Sequence, residues 1–216
     1  MQGEPGWGFL ITLAVLTFVG PLSVHAFLPV LPAITAVFGT TKATAGLTFS
    51  AALLVMAFAT LVYGSLSDRY GRRPVLLGGL LLFVFGGALA SMTNSIEAFI
   101  AGRMLQALGA GCSITLARAI ARDAYGTEGL VKAIAYLTMA YTLGPMFSPY
   151  VSGILLDTFG WRSVFWFLFI AGATLVTWAS FALPETLPRA NASKKVAVTP
   201  PASCSTSSTR PCPAPV

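Results

Sequence analysis

Charge is scarce in this chain. Of its 216 residues only 9% are charged, seven are acidic, one is histidine and three are cysteine. An ordinary soluble domain carries roughly 25% charged residues. The shortfall, with 56% hydrophobic residues and a mean hydropathy of +0.79, excludes a water-soluble globular protein. Cys112 lies in an apolar run while Cys204 and Cys212 lie in a polar segment, so neither a disulfide framework nor a metal-ligand spacing follows. The acids Asp68, Asp123 and Glu128 fall in breaks between apolar runs, and no nucleophile and base are paired by spacing. An enzyme is therefore not expected, and no cofactor or metal is implied. Net charge is +6, but most basic residues sit in short breaks with few aromatics beside them, which reads as membrane topology and excludes a nucleic-acid partner.

What the chain does contain is long apolar runs, at about 8–34, 46–64, 75–93, 98–117, 131–155 and 163–183. A bilayer span needs about 20 apolar residues, so the expected fold is an all-α integral membrane protein of six transmembrane helices. The start, MQGEPGWGFL, lacks the basic n-region and cleavage site of a signal peptide, and the first run is too long for an h-region. It reads as an uncleaved first span. Lys42 and Arg162 fall on one side of the membrane. Arg69, Arg72, Arg73, Arg118, Arg122, Lys132, Arg189, Lys194, Lys195 and Arg210 fall on the other. The positive-inside rule then puts both termini in the cytoplasm, with the lipid bilayer as an obligate partner. Arg103 is left inside the fourth apolar segment.

Two domains are expected, a six-helix membrane domain over 1–188 and a disordered tail over 189–216. From Pro184 on, the composition shifts to Pro, Ser, Thr and Ala, and half of the fourteen prolines fall there. Asn191-Ala192-Ser193 matches a glycosylation sequon, but a cytoplasmic tail never meets the enzyme.

The densest local signal is GSLSDRYGRRPVLL, Gly64–Leu77, between the second and third runs. Gly64 allows close helix contact, Gly71 allows a tight reversal, and Pro74 suits the first turn of the next helix. Asp68 is the lone acid among Arg69, Arg72 and Arg73, placed to accept charge-assisted hydrogen bonds or to face a helix N-terminus. Read as residues alone, these are also ordinary topogenic charges. As a string they closely resemble the Gly-x-x-x-Asp-Arg-x-Gly-Arg-Arg/Lys loop of the major facilitator superfamily. The resemblance implies a conformational latch made of Gly64, Asp68, Arg69, Gly71, Arg72 and Arg73, with the acid pairing to the other half of the transporter.

Further stretches resemble the drug:proton antiporter branch of the bicyclomycin/chloramphenicol efflux type. PLSVHAFLPVLPAI carries the paired prolines Pro29 and Pro32, and RMLQALGAG matches Arg-x-x-Gln-x-x-Gly-x-Gly at Arg103, Gln106, Gly109 and Gly111. ARDAY and GWRSVFW also look like that branch. The resemblance covers about 8–188 and implies two inverted three-helix repeats forming one half of a two-lobed transporter. It makes Arg103 and Gln106 cavity residues acting on substrate or on a protonatable partner, where spacing alone leaves Arg103 equally free to snorkel to the interface. His25 stands where the branch has an acid; it is a candidate proton carrier or a neutral histidine bonded to backbone freed by the prolines. AYTLGPMFSPYVSG keeps only half of the antiporter motif, Gly144 and Pro145, with Ala140, Ser148 and Pro149 at the other places. Pro145 and Pro149 each remove a helical donor, so a bend is expected, serving either as a gating element or as a structural kink.

The activity so implied is proton-coupled efflux of small hydrophobic drugs, driven by the proton gradient across a bacterial inner membrane. The second half would be another polypeptide or a homodimer mate. The alternative is a non-transporting membrane interaction or regulatory protein. A Pro/Ser/Thr-rich end is also what a truncated or frame-shifted gene yields, and a half is expected on that ground.

Overall fold

A computed structural model describes residues 7–182. Six helices are long and apolar enough to cross a membrane: α1 Trp7–Phe38, α2 Lys42–Tyr70, α3 Arg72–Met92, α4 Ile96–Gly126, α5 Gly129–Phe159 and α6 Trp161–Ala182. Their number is as expected from the apolar runs, but most extend past those runs by several residues. A helix continues into the interface as long as its residues tolerate helical geometry, so hydropathy marks the membrane core and not the cap. One consequence is that Asp68 lies in the last turn of α2, with Gly71 alone as the break before α3. Another is that Arg118 and Arg122, expected in a break, lie within α4. Residues 183–188 and the tail at 189–216, with Cys204, Cys212 and the Asn191 sequon, lie outside the described residues.

Local chemistry starts and stops the helices. Thr41 caps α2 by accepting from the Thr44 amide at 3.2 Å, and Ser95 caps α4 by accepting from Ala98 at 3.4 Å. Four glycines at positive φ mark the corners: Gly39 (61°), Gly71 (100°), Gly126 (58°) and Gly160 (82°). They recur in register. Gly39 and Gly126 close the first helix of each triplet, whereas Gly71 and Gly160 close the second and donate their amides to Ser67 and Leu156 carbonyls at 3.1 and 3.0 Å. An L side chain is strained at such φ values, so each corner selects glycine. Spans joined by breaks of one to three residues run in alternate directions. The triplet α4–α6 therefore repeats α1–α3 inverted.

Burial repeats too. In α1, α2 and α3 the buried share of the apolar stretch is 56, 22 and 50%, and in α4, α5 and α6 it is 67, 17 and 33%. The core thus lies between α1 and α4, backed by α3 and α6, while α2 and α5 leave wide apolar faces open. At one end of the bundle the core is an aromatic layer in which Phe99 meets Phe165 edge-on at 5.2 Å and Trp161 at 6.0 Å. Glycine lets the helices approach. A Cβ on Gly109 would lie 2.4 Å from the Gly79 carbonyl oxygen of α3, and one on Gly111 would lie 2.8 Å from Ala59 and from the Met56 carbonyl of α2.

Candidate functional site

The α1 helix falters at Ala26 because Pro29 offers no N–H to the His25 carbonyl, so the bond ladder is cut there. The turn just before this fault is gripped from several sides. The Pro21 carbonyl accepts from His25 Nδ1 at 2.9 Å, the Leu22 carbonyl accepts from Ser148 Oγ of α5 at 2.9 Å, and the Ser23 carbonyl accepts from Arg103 Nη1 and Nη2 of α4 at 3.4 Å each. Three helices are thereby joined through backbone oxygens of one α1 turn. The hydrogen bond to Pro21 puts the imidazole proton on Nδ1. The Pro21 carbonyl is not one that a proline frees, since those belong to Thr17, His25 and Leu28, each four residues before a proline.

Arg103 is 2% exposed and Gln106 0%. Both point into the lobe instead of facing an open cavity, and Arg103 does not snorkel. Its Nη1 donates to Gln106 Oε1, and its guanidinium carbon sits 5.2 Å from the Phe27 ring centre and 5.6 Å from that of Phe165. No carboxylate pairs with it: the ion pairs among the described residues both belong to Arg72. Arg103 Nε and Gln106 Nε2 are buried without a partner among those residues. His25, half-buried and edge-on to Phe49 at 6.4 Å, bonds to neither of them. Two aromatic faces and a carbonyl thus do the work of a counter-ion for Arg103.

Around the corner at Gly71, Arg72 is the centre and Asp68 the periphery. The Arg72 guanidinium, 13% exposed, meets Asp68 at 2.8 Å and Asp123 at 3.0 Å, and donates to Ser67 Oγ. The Asp68 side chain remains 64% exposed. Arg73 donates to the Ser180 carbonyl of α6, and Arg69 is exposed. Asp123 and Ser180 were not expected as partners. They lie 51 and 107 residues from the arginines they join, and no local spacing announces such a contact. Around Gly64 a Cβ would meet nothing within 4 Å, so the close contact expected of it is absent within this chain.

Of the expected gating residues, Gly144 is a packing position: a Cβ there would lie 2.9 Å from Pro21 and 3.0 Å from the Leu22 amide nitrogen. Pro145 and Pro149 sit in unbroken helix, the one non-helical residue within Ile96–Phe159 being Gly126. Pro29 is half-buried and Pro32 exposed on α1. Ser148, which departs from the motif's glycine, supplies the hydrogen bond that ties α5 to α1.

The family model for the Major Facilitator Superfamily matches residues 13–211. The chain belongs to the major facilitator superfamily. The match runs beyond residue 188, where the resemblance read from motifs ends. Among curated relatives, the Multidrug resistance protein MdtL of Escherichia coli O81 (strain ED1a) is 34% identical over 184 residues, covering 85% of this chain and 47% of that protein. MdtL of Shigella dysenteriae serotype 1 (strain Sd197) matches to the same extent. The chain spans about half the length of the curated relatives it matches. Among solved structures, a D-xylose-proton symporter superposes with a TM-score of 0.73 at 18% identity, over 84% of this chain and 49% of that one. The human organic anion transporter MFSD10 (TETRAN) gives 0.67 at 24%, over 86% and 49%. Both share the fold of this major facilitator lobe. It is a multi-pass membrane protein from a transporter family, not an enzyme, and its multidrug-resistance relatives are bacterial.

Proposed function

We propose that this chain is one lobe of a proton-coupled exporter of small hydrophobic compounds, with both termini cytoplasmic. The observation that carries the reading is the contrast between an enclosed α1–α4 core and the open apolar faces of α2 and α5. Leu54, Phe58 and Leu61 on α2, and Met139, Met146 and Tyr150 on α5, are all exposed. A lobe that leaves two spans so bare is built to meet a second lobe, either a second copy or a partner half, with a substrate path between them. Similarity to proteins named for multidrug resistance supports hydrophobic substrates. His25 is the chain's one histidine and lies within α1, and imidazole is the side-chain type suited to carrying a proton. Among the described residues its Nε2 has no hydrogen-bond partner while Nδ1 stays bonded to Pro21, and this supports proton coupling.

Uptake of radiolabelled chloramphenicol into energised everted vesicles containing this chain tests the reading. It should collapse on adding a protonophore, and His25→Gln should flatten its pH profile. Uptake indifferent to the protonophore would refute proton coupling. No uptake from a chain that runs as a dimer in detergent would refute transport and leave a membrane interaction or regulatory role.

A further inference from the structure

Among the described residues, the carboxylates of the spans are confined to the helix ends. Asp68 and Asp157 are each two residues from the end of α2 and α5, Glu97 is the second residue of α4, and Asp123 stands three before Gly126. Well inside the spans the side chains of Asp, Glu, His, Lys or Arg type are His25, Arg103 and Arg118, and every one of them is basic. Arg103 is enclosed, but Arg118 is not. It lies on α4 eight residues before Gly126, about 12 Å along the axis, and it is exposed on a helix that is otherwise the most buried of the six. Its guanidinium carbon stands 5.7 Å from the ring centre of Tyr141, half-buried on α5. It takes part in none of the ion pairs among the described residues. Arg122, one turn on, shares its stripe and is also exposed.

We propose that Arg118 and Tyr141 form a binding site for the carboxylate of an amphipathic aromatic compound, and that this lobe selects anions over lipophilic cations. A guanidinium fork takes a carboxylate through two parallel charge-assisted hydrogen bonds, while the adjoining phenol ring offers a face to the apolar part. A cation approaching the same pair meets Arg118 with no acid well inside the spans to offset its desolvation, and one-signed charge in low-dielectric surroundings repels it. The inference rests on the transporter reading and names the substrate class for it. A phospholipid headgroup carries the same anionic chemistry, so the test separates the two.

The full chain is purified in an uncharged detergent and titrated with 1-naphthoate, 1-naphthamide and 1-naphthylmethylammonium, followed by calorimetry. Naphthoate should bind at least about tenfold more tightly than the ammonium analogue. Arg118→Gln should weaken naphthoate about tenfold and leave the amide unchanged, with Arg118→Lys in between, since a point charge replaces the fork. Arg118 is exposed, so both variants are expected to fold, which thermal melting checks. Equal or tighter binding of the ammonium compound, or an undiminished naphthoate affinity in Arg118→Gln, would overturn the proposal. So would loss of naphthoate binding when phosphatidylcholine nanodiscs are supplemented with phosphatidylglycerol, because the site would then belong to a lipid headgroup. Absent chloramphenicol uptake by a chain that runs as a dimer, with naphthoate binding intact, would sink the transport reading alone; the reverse pattern would sink this one alone.

Discussion

Gly109→Ala should damage the lobe, whereas Gly78→Ala should not. At Gly109 the new methyl would sit 2.4 Å from the Gly79 carbonyl oxygen, 2.5 Å from Phe83 Cβ and 2.6 Å from the Phe83 amide nitrogen. Carbon and oxygen settle near 3.3 Å, so α3 and α4 must part by roughly 1 Å, and two of the three clashing atoms are backbone that no rotamer change can move. Overpacking of this kind costs about 1–3 kcal/mol, set against a helix-propensity gain from Gly to Ala of up to about 1 kcal/mol. With that gain taken in full, the net is a loss of up to about 2 kcal/mol. At Gly78, one residue before Gly79 on α3, nothing lies within 4 Å, so only the propensity gain applies. At about 2–4 °C per kcal/mol for a chain of this size, Gly109→Ala should melt below the parent by up to roughly 8 °C, with Gly78→Ala level with the parent or slightly above. Intrinsic tryptophan fluorescence during heating in detergent reads both. Equal melting temperatures for the two variants would refute the claim that glycine sets the α3–α4 distance.

Two further outcomes follow from the charged clusters. Arg103→Met should change stability by less than about 1.5 kcal/mol in reversible unfolding, because desolvating a guanidinium that has no carboxylate offsets much of what its hydrogen bonds and ring contacts return; a loss above about 3 kcal/mol would show that those contacts dominate. Asp68→Asn should cost no more than about 0.5 kcal/mol, since the side chain is 64% exposed and Arg72 keeps Asp123. Arg72→Ala should cost more than that in the same thermal assay, because it strips both acids and Ser67 at once, and the opposite order would be inconsistent with Arg72 as the centre of the cluster.

Element by element, the membrane spans were legible because a bilayer imposes one composition on some twenty successive residues, and hydropathy detects it. Gly109 and Gly111 were legible as packing residues, since small side chains in an apolar helix have few other uses. The direction of Arg103 was not. A residue's place along a helix tells its depth, but whether it faces a cavity, lipid or the lobe's own core depends on which helices flank it. The same ignorance hid Asp123 from Arg72, and Ser148 from the Leu22 carbonyl. It also let Arg118 pass as a loop charge, when the helix in fact runs to Gly126. His25 was readable as an unusual residue, yet its bond to Pro21 lies within one turn and required only the helical geometry.

Gly71 and Gly160 have a mechanical consequence. A single residue joins α2 to α3, and another joins α5 to α6, and the two Cα steps across one residue reach no more than about 7 Å. Neither pair therefore has slack. A partner pressing on the bare faces of α2 and α5 cannot slide those rods along their axes without dragging α3 and α6 with them. Force applied on one side of the bundle is delivered to its back as tilt, and the two glycines are the pivots.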